Sequence, residues 1–422
     1  MVEHMGRHAA SGCDHNDETA SGGWTMSELR VCEVVKTLDT GGTEVLLVER
    51  LLAARRGSAG RPAHSAVTYI VICLRASTGE LIARLRAAGV TVIDLSACPR
   101  ALVYARLVAA VRRLAPHVLN VHSPAPAIVL RPFVRLTRRR PALVSTVHGV
   151  QWAKTMYLDR LTRGLDDRTV AVSPAVARSR AVLGSRHVLI RVHGVDVGGQ
   201  RWWAARAAAV RREFDVPDNA FLCVTVANFR PEKNHRMLVQ AAAEVARACP
   251  DARFVLAGDG PLRDDTVRDV RRRRLDATVR VLGPVPGARR LVAAADLLVL
   301  SSDYEGLPVV VMEALAAGVP VVSTRVGGLA DLITHGWNGI LTEPGSPEAL
   351  AGGVIQAMEH RTHRELRSGA QASADSVDIA ETAEWFEELY EDLAWRRGDR
   401  TRGPGSARRA SRPSGVPGHA GR

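Results

Sequence analysis

Ser301-Ser302-Asp303-Tyr304-Glu305-Gly306-Leu307-Pro308-Val309-Val310-Val311-Met312-Glu313-Ala314-Leu315-Ala316-Ala317-Gly318 follows a short apolar run, Asp296 to Leu300, and changes character twice. The run before it has strand length, Gly306 is a turn signal, and Pro308 stands at a first-turn position where its missing N–H is no loss. A helix is expected over Pro308 to Ala317, closed by Gly318. Such a unit turns the free N–H groups of Leu307, Val309 and Val310 outward beyond the carboxyl end of a sheet, with the positive end of the helix dipole behind them. That arrangement can hold a phosphate without a metal. Glu313, about one and a half turns into the helix, lies among Val, Met, Ala and Leu; a carboxylate there needs donors, and the vicinal hydroxyls of a ribose supply two. Taken alone, Glu313 is better explained by capping or local pairing in a structural helix. Glu305 eight residues before it, with Gly-Leu-Pro between, favours a nucleotide framed from its ribose to a transferred group.

Outward from this segment, short β-branched runs alternate with longer Ala/Leu/Arg segments. Strands are expected at Arg30 to Val35, Val67 to Leu74, Val90 to Leu95, His117 to His122 and Ala142 to Val147, with helices at Glu44 to Arg56, Gly79 to Ala88, Ala101 to Leu114 and Ala125 to Arg138. The rhythm breaks over Val192 to Arg212, a stretch read as turns. It resumes with strands at Phe221 to Val226, Arg253 to Ala257, Thr278 to Leu282, Asp296 to Leu300 and Val319 to Ser323, and helices at Glu232 to Ala248, Leu262 to Arg273, Pro308 to Ala317 and Pro347 to His360. Alternating strands and helices mean an α/β protein with parallel sheets covered on both faces. Two domains are expected, 28–195 and 196–377. Asp378 to Trp395 reads as an amphipathic helix whose Trp385, Phe386, Leu389, Tyr390 and Leu393 need a surface to cover. Residues 1–27 and 398–422 lack periodicity and read as a disordered arm and a disordered basic tail.

The 422 residues carry a formal charge of +13 and are 46% apolar, enough for a buried core and against a wholly disordered chain. Eight arginines lie within Arg396 to Arg422, and only Lys36, Lys154 and Lys233 among the 57 basic residues are lysines. The charge thus reflects a tail and a composition bias, and a nucleic-acid partner is not expected. The longest apolar run, Ala66 to Leu74, is strand-sized, the start lacks a signal-peptide core, and six scattered cysteines form no metal or disulfide pattern. A cytoplasmic protein is the expectation.

In order and spacing, Gly41-Gly42-Thr43-Glu44, His148-Gly149, Ser173-Pro174, Arg230-Pro231-Glu232-Lys233, Ala257-Gly258-Asp259-Gly260-Pro261, Glu305 to Glu313, Gly327-Gly328 and Asn338-Gly339 span roughly residues 29 to 390. With these the chain resembles the retaining family-4 glycosyltransferases (glycosyl transferases group 1). The resemblance implies the GT-B fold, two Rossmann-like domains facing a central cleft, with a nucleotide-sugar donor on the second and an acceptor on the first. It implies that Glu313 binds the ribose, Glu305 the transferred sugar, the Gly306-Leu307-Pro308 turn and Val309 the diphosphate, and Gly41-Gly42 the space between donor and acceptor. It also implies that Lys233, helped by an arginine of its loop, neutralises the leaving pyrophosphate, and that His148 hydrogen-bonds the transferred sugar.

The chain departs from the family pattern in one loop. Where Gly-Arg-Leu is usual, Ala227-Asn228-Phe229 stands, so Arg230 is the candidate helper. On the residues alone, Lys233 could be a solvated surface group, His148 a loop histidine satisfied by backbone, and Gly41-Gly42 a plain strand-to-helix turn with Thr43 as N-cap. His122 shares His148's strand-end position. Asp-x-Asp and the phosphate-loop motif are absent from the sequence, which argues against a metal-clamped diphosphate site and a phosphate-loop NTPase.

The expected activity is metal-independent hexosyl transfer, with retention, from a nucleotide-diphosphate sugar to a glycan or lipid-linked saccharide. No cofactor is expected, and a UDP-sugar is the favoured donor substrate. A 2-epimerase of the same fold, or a noncatalytic nucleotide-sugar-binding protein, would carry the same motifs. Arginines of the first half, Arg100, Arg106, Arg112, Arg113, Arg131, Arg135 and Arg138 to Arg140, could draw the protein to the inner membrane face as a peripheral protein, or be ordinary solvated helix faces.

Overall fold

The computed structural model describes residues 29–39, 42–58, 67–137, 140–149, 153–306 and 308–400. Among these, the strands β1 (Leu29–Thr37), β2 (Val67–Arg75), β3 (Thr91–Asp94), β4 (Val118–Val121), β5 (Ala142–Val147), β6 (Arg168–Ala171) and β7 (Val188–Ile190) form one sheet, ordered β3-β2-β1-β4-β5-β6-β7. The strands β8 (Phe221–Val226), β9 (Ala252–Ala257), β10 (Val279–Gly283), β11 (Leu297–Leu300), β12 (Val321–Thr324) and β13 (Gly339–Thr342) form a second, ordered β10-β9-β8-β11-β12-β13. Every pairing is parallel. The near-continuous apolar runs of β2, β5, β8 and β11 follow from this, since helices cover both faces of each sheet. The GT-B architecture expected from the sequence is present.

In each sheet the order reverses once, between β1 and β4 and between β8 and β11. Crossover helices leave in opposite directions at such a point, which opens a crevice beyond the strands' carboxyl ends. His122 and His148 follow β4 and β5; Lys233 and Glu305 follow β8 and β11.

The helix Ile379–Arg400 packs against the first sheet, not the second that precedes it. Ile379, Ala383, Phe386, Leu389, Tyr390 and Leu393 are buried in one cluster with Val31, Leu47 and Val71, and Trp385 packs at its edge. This is the surface the aromatic face requires; burying Phe386 alone contributes roughly 2 kcal/mol. The chain passes between the halves twice, side by side. Val195 N donates to Val377 O at 2.8 Å, and Ile379 N donates to Val195 O at 3.0 Å.

Several local expectations need correction. The stretch Val192 to Arg212 is largely helical, with helices Val197–Ala204 and Ala207–Glu213. Its glycines mark a capped first turn: the Asp196 carboxylate accepts from Gly199 N at 3.1 Å, and a side chain at Gly199 would collide with it. The helix expected from Glu232 is split. A 3-10 turn, Pro231–Lys233, ends at Asn234 (φ 46°), whose side chain caps the helix His235–Ala248 by accepting from Met237 N at 3.2 Å. The first helix begins at Gly42, so Thr43 lies within its first turn and is not the N-cap; Pro308, in turn, precedes the helix Val309–Ala316 as its cap. The strands β6, β7 and β13 and the helices Ala153–Arg163 and His360–Ala372 add elements where the pattern had suggested none. The last helix runs to Arg400, into the stretch read as tail. Residues 1–28, with the expected arm, and 401–422 lie outside the described residues, as do Gly41, Leu307, Arg138 and Arg139. No helix among the described residues is long and apolar enough to cross a membrane.

Candidate active site

On the second half, two loops are laced together at the crevice. Ser301 Oγ donates to Lys233 O at 2.8 Å, Asp303 N to Glu232 O at 2.8 Å, and Asn234 Nδ2 to Asp303 Oδ1 at 3.0 Å. The lacing aims Lys233 Nζ at Glu305 Oε1, 2.5 Å away, where Ser302 Oγ also donates at 2.8 Å. Lys233 and Glu305, 72 residues apart, are thus one ion pair, and Glu305 is buried. The Arg230 side chain is exposed on the same loop and makes no hydrogen bond or ion pair among the described residues. Asn228, at the usual arginine position, lies on the same loop, whereas Phe229 between them is fully buried and stacks on His235. The structure therefore brings Lys233 and Glu305 together and leaves Arg230 beside them.

Two of the glycine motifs serve these loops. At Gly327 (φ 46°) a Cβ would lie 2.0 Å from Glu305 O, and at Gly258 (φ 151°) a Cβ would lie 2.0 Å from Ala227 O. Each lets one backbone press on the other from behind. Asn338 is structural: it accepts from Thr334 N at 2.8 Å and donates to Leu332 O and Ser373 Oγ.

Glu313 lies on the helix Val309–Ala316, half-buried, and accepts no side-chain hydrogen bond among the described residues. Burial pushes its carboxyl up to about 7; Arg289 draws it down and Glu49 raises it further. Arg289, from the second half, bonds Glu49 of the first at 3.2 Å. The carboxyl is desolvated and still short of donors, the condition the sequence suggested a ribose would relieve.

Across the crevice the halves touch at residues of the sequence motifs. Ser173 Oγ donates to Gly306 O at 3.4 Å, and a side chain at Gly306 would meet His148 O at 3.4 Å. A side chain at Gly42 would meet Val309 Cγ2 at 3.4 Å, which sets Gly42 against the start of the Glu313 helix. A cavity of about 340 Å³ lies in the first half beside His148, lined by His122, Ser123, Thr146, Arg131 and Arg163 among others. Arg131 is fully occupied by Asp159, Asp166 and Ser145. Arg163 bonds Asp159 while its Nε and Nη1 are buried without partners among the described residues, and burial, with Arg131 beside it, pulls its guanidinium down to about 10.

His148 is held by His122, which the sequence had placed at the neighbouring strand end, and behind it by residues the sequence reading missed. Its Nε2 is 3.0 Å from His122 Nδ1, and His122 Nε2 is 2.7 Å from Glu33 Oε2. Glu33 Oε1 accepts from Arg50 at 2.6 Å and from Tyr390 Oη at 2.9 Å, and Asn120 Nδ2 donates to Tyr390 Oη at 2.8 Å. Burial works against the Glu33 carboxylate, but Arg50 and the His122 hydrogen bond overcome it and bring its pKa down to about 2. Burial, assisted by the nearby Arg50 cation, keeps His148 well below the usual imidazole range. His193, fully buried with neither ring nitrogen bonded among the described residues, lies edge-on to His148 at 5.4 Å and to Phe386 at 5.5 Å. The signal for this network was a lone glutamate inside the apolar strand Val31-Cys32-Glu33-Val34-Val35, a position no solvated carboxylate occupies.

Comparison with known proteins places this geometry. The family model for glycosyl transferases group 1 matches residues 220–360. The chain is 30% identical over 275 residues to a 2-deoxystreptamine glucosyltransferase of Streptomyces kanamyceticus, covering 64% of this chain and 68% of that one. It is 27% identical over 289 residues to an N-acetyl-alpha-D-glucosaminyl L-malate synthase of Bacillus anthracis, covering 65% and 74%. Among solved structures, HepE of Anabaena in complex with UDP superposes with a TM-score of 0.73 at 21% identity, over 86% of this chain and all of that one. With two parallel sheets meeting at a crevice that carries the family's motifs, and a glucosyltransferase 30% identical over two thirds of its length, the chain belongs to the glycosyl transferases group 1.

Proposed function

We infer that this glycosyltransferase takes its sugar from a nucleotide-diphosphate donor, a UDP-sugar in the first instance, and passes it to a hydroxyl of a glycan or lipid-linked saccharide with retention at the anomeric carbon. The second half holds the donor and the first half the acceptor, as in the retaining family-4 enzymes it resembles. The observation that carries this reading is Glu313: a carboxyl pushed up to about 7, on the helix that follows the Lys233–Glu305 pair, and lacking a hydrogen-bond donor among the described residues. Two ribose hydroxyls fill that need. The helix start at Val309 and the Lys233 ammonium lie on the diphosphate side, where negative charge grows as the glycosidic bond breaks. Lys233 then supplies the countercharge that a metal gives in other glycosyltransferases. Glu305, already bonded to Lys233 and Ser302, positions the sugar's hydroxyls. The cavity beside His148 takes the acceptor.

Retention follows if the acceptor hydroxyl enters on the face from which the phosphate leaves, with that phosphate taking its proton. The named relatives support the reading by analogy: one structural neighbour holds UDP, and two relatives carry glucosyl- or glucosaminyl-transfer names. Titration calorimetry with UDP-, GDP- and ADP-glucose in the presence of EDTA, followed by NMR of the product's anomeric coupling, tests it. UDP-glucose binding without metal and an α-linked product are expected. Absence of binding by all three, or a β-linked product, would refute it.

A further inference from the structure

Two contacts among a carboxylate and two rings in the first half, Glu33–His122 and His122–His148, form a single directed chain. Glu33 is ionised and fully buried, so both oxygens only accept; Arg50 and Tyr390 occupy Oε1, and His122 Nε2 stands 2.7 Å from Oε2. His122 must therefore present an N–H at Nε2. Arg50 already balances the Glu33 charge, and a cation on buried His122 would have to share that one carboxylate, its other bonded neighbour being the His148 ring. With one proton on its ring, His122 offers a bare Nδ1, and the 3.0 Å contact to His148 Nε2 requires the proton to lie on His148. The remaining ring nitrogen of His148, Nδ1, is then bare. His148 lines the cavity at the crevice, and its Nδ1 makes no hydrogen bond among the described residues.

We propose that Glu33 and His122 are positioning residues of the glycosyl-transfer site, fixing His148 as the Nε2–H tautomer so that its Nδ1 accepts a hydrogen bond from a substrate hydroxyl. This rests on the reading of His148 as a sugar- or acceptor-contacting residue. The assignment is directional: the ring nitrogen of His148 not bonded to His122 is an acceptor, not a donor, and the carboxylate that decides this lies two hydrogen bonds away. Tyr390 extends the chain to the C-terminal helix, which braces Glu33 from the far side. Second-partner control of a histidine's proton is familiar at metal sites; here the same logic sets a ring that meets a hydroxyl.

The full-length, ligand-free chain labelled with 15N-histidine, at pH 7.5, gives the direct test by long-range 1H–15N correlation, with His148 assigned from the spectrum of His148→Gln. A pyridine-like Nδ1 and a pyrrole-like Nε2 at His148 are expected. The reverse pattern, or two pyrrole-like nitrogens at His122, would overturn the proposal while leaving donor binding untouched. Glu33→Gln should mix the two His148 tautomers and lower kcat for UDP-glucose hydrolysis by roughly tenfold to a hundredfold, with KM within about threefold. Because Glu33→Gln leaves Arg50 without its partner, His122→Phe, which keeps ring volume and the Glu33–Arg50 pair, is made in parallel. Loss of the single tautomer and the same kcat defect with KM retained are expected. A KM or stability change without a tautomer change would mark a merely structural role and overturn the assignment.

Discussion

Replacing Glu313 by glutamine should stabilise the empty protein and weaken donor binding at the same time. In the folded chain the carboxyl titrates at about 7 against an ordinary 4.5, chiefly because burial disfavours the charge. A group whose folded pKa is raised lends stability below pH 4.5 that is lost as pH climbs through about 7. At pH 8 the ionised side chain therefore costs the fold roughly 3 kcal/mol relative to acid conditions, an upper bound for a half-buried group. Glutamine escapes that cost, and its melting temperature at pH 8 should exceed that of the natural chain by several degrees, the difference closing towards pH 5. Donor binding reverses the order. An ionised carboxylate accepting two ribose hydroxyls gains about 1.5–3 kcal/mol from each. Glutamine keeps one neutral acceptor, so a loss of roughly 2–4 kcal/mol, or 30- to 1,000-fold in Kd, is expected. The natural chain's affinity for UDP-glucose should also fall as pH drops below 7, by up to about tenfold per unit, while the glutamine variant stays flat. Differential scanning fluorimetry and calorimetry between pH 5.5 and 8.5 read both effects. Equal melting temperatures together with an unchanged Kd would refute the placement of the ribose at Glu313.

Lys233→Met should lower kcat with UDP-glucose by roughly a hundredfold to a thousandfold, since it removes the cation that meets the departing diphosphate and leaves buried Glu305 without its ion-pair partner; steady-state kinetics reads it. Phe386→Ala should cost about 3–5 kcal/mol in guanidinium unfolding, because the ring is fully buried in the first sheet's core and Arg50 lies 4.3 Å over it. His148 and His193 are both held well below the ordinary 6.5 by burial, so the fold binds fewer protons than the unfolded chain. Stability should then fall as pH drops below 6.5, by up to about 1.4 kcal/mol per unit for each ring, and His193→Phe should reduce that slope in denaturant melts at pH 7.5 and 5.5.

The parallel sheets were legible because buried strands leave long apolar runs: Val67 to Leu74 and Phe221 to Val226 needed only their flanking turns to be placed. The strands β6, β7 and β13 went unread: Arg168-Thr169-Val170-Ala171 and Gly339-Ile340-Leu341-Thr342 carry only one or two strongly apolar residues flanked by small or polar ones, and Val188–Ile190 has three residues. Capping chemistry misled twice. Gly198-Gly199 looked like a turn but forms the first turn of a helix under Asp196, and Asn234 interrupts an otherwise uniform helical pattern through its own positive φ. At the site, Lys233 and Glu305 were each legible from their neighbours, but their pairing is a property of two loops meeting at a switch point. The Glu33–His122–His148 chain lies further from reach. Its members are separated by 89 and 26 residues, and only the mid-strand glutamate hinted at it.

The helix Ile379–Arg400 also orders events during synthesis. The first half emerges from the ribosome with β1 and β2 in place, yet the cluster around Val31 and Val71 stays unroofed until Phe386 and Tyr390 have been made, about 200 residues after β7. At ordinary elongation rates that interval is roughly 10–40 seconds. A nascent chain with this apolar surface open for so long is a natural client for chaperones, and truncations before residue 379 will aggregate where a clean domain boundary would have left two separable proteins.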